Sequence, residues 1–260
     1  MKIVIFTVNA LRHKFVANEL AKHADETLVI SEGRPEDAPS KPESEMTRIE
    51  SHFAERYFTE QKYFAGNESF SARTIEIPYK DANSPEIYEV VKAFAPDMGF
   101  VFGASIIRDP LLSLIPAGRF VNMHLGLSPY YRGSGTNFWP FINKELQYVG
   151  ATLLHIDAGI DTGDIVAHAR PEIVAGDTVH TVGNKTIIEG TKGLIAGLER
   201  VKRGEALPRV TQWEVPSPRY YKNADFTDET VLTYRATVAD VVAHYVASVP
   251  EVPRLVPPVS

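Results

Sequence analysis

Short, continuous apolar runs recur along the first half of the chain, and the polar stretches between them carry apolar residues at helical spacing. An apolar run of four or five residues is typical of a strand that is covered on both faces of a sheet. Such runs occupy residues 3–6, 27–30, 74–77, 98–102 and 120–123. Strands that alternate with helices predict βαβ units, so we expect an α/β fold with a Rossmann-like, mainly parallel, twisted sheet and helices on both faces.

The segments between the runs predict the helices, because their apolar residues return every three or four positions. Ser44 is placed to cap one helix, and a proline follows both Ser84 and Asp109, at the early helical position where its missing N–H costs nothing. Residues 31–43 are polar and contain three prolines, which predicts an exposed loop. Three of the expected helices occupy residues 11–20, 44–64 and 178–203, and two shorter ones begin near residues 84 and 109.

The second half predicts two further strands and then a change of character. Residues 149–156 and 165–169 are apolar runs joined by a short loop. Seven of the 18 prolines lie in residues 204–260, which predicts loops, short strands and one helix near residues 237–246. We therefore expect one main domain over residues 1–203 and a proline-rich C-terminal extension over residues 204–260.

The composition excludes several classes of chemistry. The 260 residues include no cysteine, which rules out disulfides, thiolate nucleophiles and cysteine-based metal sites. The formal net charge is −6, and residues 204–260 carry five basic and seven acidic side chains, so nucleic acid is not an expected partner. The N-terminus lacks a signal-peptide pattern and no apolar run approaches the ~20 residues of a membrane span, so we expect a cytoplasmic protein with no membrane partner.

A strand, turn and helix at the N-terminus invite a dinucleotide-binding interpretation, which the residues do not support. The turn at residues 7–12 contains no glycine, so a close approach of the backbone to a pyrophosphate is not expected, and the chain has no P-loop pattern. Loops at the carboxyl ends of parallel strands nevertheless face the ligand crevice. We therefore expect Asn9, in this turn, to contact a substrate.

The polar residues with the clearest chemical potential lie where the fifth predicted strand ends. Asn122 and His124 are two positions apart and therefore point to the same face of that strand, where an amide and an imidazole can both reach one carbonyl oxygen. A turn rich in glycine and proline follows. Further along, the loop at residues 157–164 contains three aspartates and two glycines after another predicted strand.

These segments together resemble the folate-dependent formyltransferases. The motifs are Asn-x-His at residues 122–124, Leu-Ser-Pro-x-x-Arg-Gly at residues 127–133 and Asp-x-Gly-x-Asp-Thr-Gly-Asp at residues 157–164. Residues 101–107 are also similar to the family's strand and loop beside the folate, and the resemblance covers about residues 1–200. It implies that Asn122, His124 and Asp161 are catalytic. It further implies 10-formyltetrahydrofolate as formyl donor, a primary amine as acceptor and no metal.

The resemblance also assigns binding residues. The expected donor-binding residues are Phe102, Gly103, Ile106, Ile107, Asp157 and Gly159. The expected acceptor-binding residues are Asn9, Tyr131, Arg132 and Trp139. Core packing would explain Phe102, Tyr131 or Trp139 equally well, and a surface salt bridge would explain Arg132. His155 and Asp157 have the spacing of a metal pair, but no further ligand at useful spacing follows.

The family contains several branches that differ in the amine they formylate. The amino-sugar N-formyltransferases fit best, because residues 130–139 and 218–226 are similar to that branch and because its members often have this length, with a short extension used for dimerisation. The purine-pathway branch has a glycine-rich first loop, and the tRNA branch usually has a larger C-terminal domain. We therefore expect a nucleotide-linked amino sugar as acceptor and allow for a homodimer. Methionyl-tRNA, glycinamide ribonucleotide, other small amines, hydrolysis of the donor by water, and a non-catalytic binding module remain alternatives.

Overall fold

The computed structural model describes residues 1–33, 38–156, 161–248 and 250–259. In these ranges the strands are β1 (Lys2–Val8), β2 (Glu26–Glu32), β3 (Arg73–Ile77), β4 (Met98–Val101), β5 (Phe120–His124), β6 (Tyr131–Gly133), β7 (Ala151–His155), β8 (Ile165–Ala169) and β9 (Arg219–Tyr221). Seven of these described strands form one sheet in the order β3-β2-β1-β4-β5-β7-β8. Strands β1 to β5 pair in parallel, whereas β7 pairs antiparallel with both β5 and β8. The predicted mainly parallel sheet is therefore confirmed.

The described helices follow most of the predicted positions. They are α1 (Leu11–Ala21), α2 (Arg48–Phe64), α3 (Pro85–Phe94), α4 (Trp139–Ile142), α5 (Val179–Lys202) and α6 (Asp228–Ser248). Helix α6 is longer than the helix expected near residues 237–246. The helix expected after Asp109 is wrong, since that region contains only a 3₁₀ turn at Leu112–Leu114 among its described residues. No helix in the described residues is long and apolar enough to cross a lipid bilayer.

The cap of α2 also differs from the prediction. The helix begins after Thr47 rather than Ser44, which lies in a separate 3₁₀ turn. The Thr47 hydroxyl accepts a hydrogen bond from the Glu50 N–H at 3.2 Å, and the Glu50 carboxylate accepts one from the Thr47 N–H at 2.8 Å. This reciprocal capping box satisfies two N–H groups at once, which a lone serine three residues earlier does not.

The core lies on both faces of the sheet. Side chains along β1 alternate between the faces: Ile3 and Ile5 join the cluster covered by α1 and α5, whereas Val4 and Phe6 join the cluster covered by α3. All four side chains are essentially buried. The period of two along a strand covered on both faces explains why this run contains no polar residue.

The C-terminal extension packs against the preceding residues at several points. Strand β9 pairs in parallel with β6, and α6 packs against α2 and α4. Val256 packs with Leu154 and Ile165, and Val259 joins the cluster beneath α5. The extension therefore shares hydrophobic core with the preceding residues, and the predicted boundary at residue 203 stays a prediction.

Candidate active site

Three side chains that the sequence predicts to be catalytic lie together at the carboxyl end of β5. Asn122 and His124 are on β5 itself, and Asp161 lies in the connection from β7 to β8. Asn122 Nδ2 donates to Asp161 Oδ1 at 3.1 Å, and His124 Nδ1 lies 3.4 Å from Asp161 Oδ2. One carboxylate therefore contacts both the amide and the imidazole.

This trio is shielded from water and rich in donors. The His124 side chain is 8% exposed and the Asp161 side chain is 14% exposed. The second ring nitrogen of His124, Nε2, lies 3.4 Å from the carbonyl oxygen of Tyr131. An amide nitrogen carries two hydrogens, so Asn122 can bond to Asp161 and to a ligand oxygen at the same time. Donors held in a low-dielectric pocket suit the stabilisation of a developing oxyanion.

A cavity of about 510 Å³ opens beside the trio, and all three side chains line it. Four of the predicted donor-binding residues line the same cavity: Phe102, Gly103, Ile106 and Ile107. The loop that follows β4 is held in place by Glu32, whose carboxylate accepts hydrogen bonds from the Ser105 N–H at 3.0 Å and from the Ser105 hydroxyl. The cavity thus combines an apolar wall with an anchored stretch of backbone. A flat heterocycle can pack on the first and form hydrogen bonds with the second.

Gly103 occupies a position in this loop that a larger residue would not fit. Its φ is +76°, in the left-handed region, and a Cβ built there would overlap His13 Nε2. The His13 ring packs on Phe102 with centroids 4.5 Å apart. The first helix and the fourth strand therefore meet at the wall of the cavity.

Two of the predicted donor-binding residues, Asp157 and Gly159, lie outside the described residues. Their described neighbours Ile156 and Asp161 line the cavity from either side. Contacts of Asp157 and Gly159 with the donor stay predictions.

A second cavity of about 570 Å³ adjoins the first, and the two share Arg12, Leu125, Ser134 and Gly135 as lining residues. Its walls combine aromatic rings with cationic and amide side chains. The aromatic residues are Phe53, Phe138, Trp139 and Phe226, and the polar residues include Arg56, Asn137, Asn184 and Lys222. The trio therefore lines one cavity, which adjoins a second of comparable size.

The wall of the second cavity also contains a histidine pair. The rings of His52 and His180 lie 4.4 Å apart, and with Glu55 they form a group of possible metal ligands whose ligand atoms lie within 4.8 Å of one another. Glu55 also accepts a hydrogen bond from Arg235 at 2.5 Å. Burial, together with the neighbouring His180, lowers the pKa of His52 to about 3, so His52 is neutral at pH 7.

The residues expected to bind the acceptor do not all lie at a cavity. Trp139 lines the second cavity and stacks on Tyr221 with centroids 4.1 Å apart. Tyr131 is placed differently from the expectation: it is 1% exposed and belongs to the aromatic core. Its hydroxyl donates to Glu145 at 2.5 Å, and burial raises the pKa of the phenol above its usual value.

Arg132 and Asn9, the other two residues expected to bind the acceptor, are also placed differently from the expectation. Arg132 donates to Gln212 Oε1 at 2.6 Å, so its guanidinium binds within the protein. Asn9 lies in the bend before α1, and the residues of this region that line the cavities are Arg12 and His13. Sequence reasoning missed both, although their position one turn after the carboxyl end of β1 was the available signal.

His155 and Asp157 were considered as a pair of metal ligands. Asp157 lies outside the described residues, and the contacts of His155 do not favour that role. His155 Nε2 lies 2.9 Å from the carbonyl oxygen of Pro208, and burial lowers the pKa of this imidazole. A ring nitrogen bonded to a carbonyl is the one that carries the proton, so it is engaged within the fold.

The comparisons with known proteins identify the family of the chain. The family model Formyl_trans_N, "Formyl transferase", matches residues 1–198, so the chain belongs to the formyl transferase family. Methionyl-tRNA formyltransferase from Pelotomaculum thermopropionicum is 32% identical over 152 residues, which cover 58% of this chain and 47% of that protein. The Burkholderia vietnamiensis protein of the same name is 26% identical over 178 residues, covering 67% and 52%. The chain thus spans about half the length of the curated relatives it matches.

Solved structures show the same fold. A 4-N formyltransferase from Francisella tularensis has a TM-score of 0.57 at 18% identity, covering 86% of this chain and 77% of that one. An N-formyltransferase from Helicobacter canadensis, in complex with folinic acid and dTDP-3-aminofucose, has a TM-score of 0.57 at 20% identity, covering 91% and 80%. At these identities the likeness establishes the formyltransferase fold.

Proposed function

We propose that this protein transfers a formyl group from 10-formyltetrahydrofolate to the amine of a nucleotide-linked amino sugar. The observation that carries the proposal is the assembled trio Asn122, His124 and Asp161 beside two adjoining cavities. Acyl transfer between two large substrates needs one reacting centre that both can reach, and this arrangement supplies it.

The donor fits the first cavity. The pterin of the folate would lie against Phe102 and Ile107, with the loop after β4 offering backbone hydrogen bonds. Two solved relatives contain folates: the Helicobacter canadensis protein is in complex with folinic acid, and the sugar 3N-formyltransferase WlaRD was solved in the presence of 5-N-formyl-THF. They support a folate as the donor here.

The chemistry follows from the trio. The amine nitrogen attacks the formyl carbon, and the carbonyl electron pair moves onto oxygen. That pair then returns to re-form the carbonyl while the bond from the carbon to folate N10 breaks and its electrons go to N10. Asn122 and His124 donate to the oxyanion, a role in which loss of one donor typically costs ~10²–10³ in rate. Asp161 takes the proton that the amine loses and passes it to folate N10 as that nitrogen leaves.

The acceptor fits the second cavity. Its aromatic rings suit a stacked base or the apolar face of a sugar. Lys222 suits a diphosphate, as do Arg12 and Arg56, which also pair with Glu60 in the same wall at 2.6 and 3.8 Å. The complex of the Helicobacter canadensis protein with dTDP-3-aminofucose supports this class of acceptor. Methionyl-tRNA is the second candidate, because the curated relatives named above carry that activity in their names.

The test is formylation by the purified protein. We would incubate it with 10-formyltetrahydrofolate and separate amines: dTDP- and UDP-linked amino sugars, methionyl-tRNA, glycinamide ribonucleotide, and a blank with water alone. Mass spectrometry detects the formylated amine. We expect Asp161→Asn to lower kcat by ~10²–10⁴, while Asp240→Asn, an exposed aspartate on α6, keeps the wild-type rate.

The outcomes separate the alternatives. A formylated amino sugar supports the proposal. Formylation of methionyl-tRNA alone would show that the acceptor is methionyl-tRNA rather than an amino sugar. Formate release in the blank, with no formylated amine, indicates a hydrolase. If the donor binds and no amine is formylated, transfer is excluded as the function.

A further inference from the structure

The segment at residues 207–213 of the C-terminal extension lies against the loop that carries Asp161. Ile165 and Val210 exchange backbone hydrogen bonds at 2.7 and 2.9 Å. Arg209 pairs with Asp164 at 3.1 Å, and this contact lowers the pKa of the Asp164 carboxyl. The extension is thereby fixed alongside β8, immediately next to the candidate catalytic residue.

One side chain of this segment bonds to the backbone of the catalytic loop. Gln212 Nε2 donates to the carbonyl oxygen of Asp161 at 2.8 Å and to that of Gly163 at 2.9 Å. The amide thus uses both of its hydrogens on two carbonyl groups that flank a single residue. Its oxygen accepts from the Arg132 guanidinium at 2.6 Å, so the amide is held from both ends.

The backbone at Asp161 needs such support. Its φ is +51°, in the left-handed region, which residues other than glycine rarely adopt. Asparagine and aspartate tolerate this conformation better than most residues, but it persists only where surrounding contacts hold it. The contacts with the Asp161 and Gly163 carbonyls are in the right place to do so.

We propose that Gln212, oriented by Arg132, is a positioning residue that fixes the turn at Asp161, so that the Asp161 carboxylate reaches both Asn122 and His124. Its consequence for turnover rests on the formyl transfer proposed above. The C-terminal extension would then support catalysis by holding the Asp161 turn, and Arg132 would orient Gln212 instead of binding a substrate anion. A displacement of about 1 Å at a reacting group can cost ~10²-fold in rate.

The sharpest variant is Gln212→Glu. Glutamate keeps the shape and can still accept from Arg132, but its ionised carboxylate has no hydrogen to donate to the two carbonyl oxygens. We expect kcat to fall about 10- to 100-fold, with KM for donor and acceptor changed less than twofold. Glu214→Gln, an exposed change two residues further along the chain, is the matched control and should keep the wild-type kcat.

A double-mutant cycle identifies the route of the effect. If Gln212 acts through Asp161, then Gln212→Glu adds little to the loss caused by Asp161→Asn, whereas independent effects would multiply. Circular dichroism and the melting temperature of each variant establish that it folds. Multiplicative losses in a folded double variant would overturn the inference, as would a kcat within twofold of wild type in Gln212→Glu.

A second measurement needs no turnover. Amide hydrogen exchange at residues 161–165, followed by NMR, should be faster in Gln212→Glu and unchanged in Glu214→Gln. If the wild-type protein formylates no amine, the proposed function fails, yet this exchange experiment still tests the positioning role. Unchanged exchange at these residues in Gln212→Glu would overturn that role whatever the activity.

Discussion

His168 gives the protein a defined sensitivity to acid. The side chain lies on β8, is 3% exposed, and uses both ring nitrogens: Nδ1 accepts from the Val256 N–H at 2.8 Å, and Nε2 faces the Ser128 carbonyl oxygen at 2.9 Å. Because Nδ1 accepts, Nε2 must carry the proton, and the ring is neutral. A second proton, on Nδ1, would point at the Val256 N–H and break that hydrogen bond. Burial lowers the pKa of His168 from 6.5 to about 4.

The direction and size of the effect follow by linkage. Between pH 6.5 and about 4 the unfolded chain binds a proton at this histidine that the folded chain does not, so stability falls as the pH falls through that window. The full difference between the two pKa values is worth about 3 kcal/mol. At about pH 5 the loss relative to neutral pH is about 2 kcal/mol.

The assay is urea unfolding at about pH 7 and about pH 5 for the wild type and for His168→Gln. Glutamine offers a neutral N–H donor and an oxygen acceptor and does not titrate. We expect the wild type to lose about 2 kcal/mol more than the variant between the two pH values. Titration of other groups cancels in this difference, and His244→Gln, on the exposed face of α6, should behave like the wild type. Equal losses in wild type and His168→Gln would refute the reasoning.

Three further changes test the catalytic trio and the two cavities. Gly126→Ala would place a Cβ 2.7 Å from Thr136 Cβ and 2.8 Å from His124 Nε2, so we expect kcat to fall about 100-fold in a formylation assay, with donor binding retained. Gly103→Ala combines a φ of +76° with overlap onto His13, so we expect a loss of donor affinity of at least tenfold by calorimetry, and wild-type affinity would contradict the placement of the donor. Trp139→Ala removes a stacked ring from the second cavity, so we expect KM for the acceptor to rise about tenfold with little change in KM for the donor. A rise in KM for the donor alone would instead place the donor in the second cavity.

The parallel strands and the common face of Asn122 and His124 were accessible from the sequence because both depend on short-range patterns, whereas Asp161 was assigned by the family resemblance. Continuous apolar runs mark parallel strands, and the positions of Asn122 and His124 two residues apart fix their common face. The start of α2 was also encoded, since Thr47 has a glutamate three residues later and Ser44 does not form the same reciprocal cap. Choosing the stronger of two caps would have given the correct boundary.

The remaining features depend on contacts between distant parts of the chain. Tyr131 is buried because β6 pairs with β9, whose residues lie far along the sequence. Gln212 contacts a carbonyl 51 residues away, and no local pattern marks it. Arg12 and His13, which line the cavities, are the exception, because their position one turn after the carboxyl end of β1 was a local signal. The catalytic roles of the trio stay predictions until turnover is measured.

The hydrogen bonds that the C-terminal extension makes with β8 have a consequence for solubility. Strand β8 lies at one end of the sheet, so its outward N–H and C=O groups would otherwise be open to pairing with another molecule. The extension covers them at two places: the Ile165 N–H bonds to the Val210 carbonyl at 2.7 Å, and the His168 N–H bonds to the Val256 carbonyl at 3.1 Å. Removal of residues 204–260 would leave this edge bare, and we expect the shortened protein to self-associate through strand-to-strand aggregation.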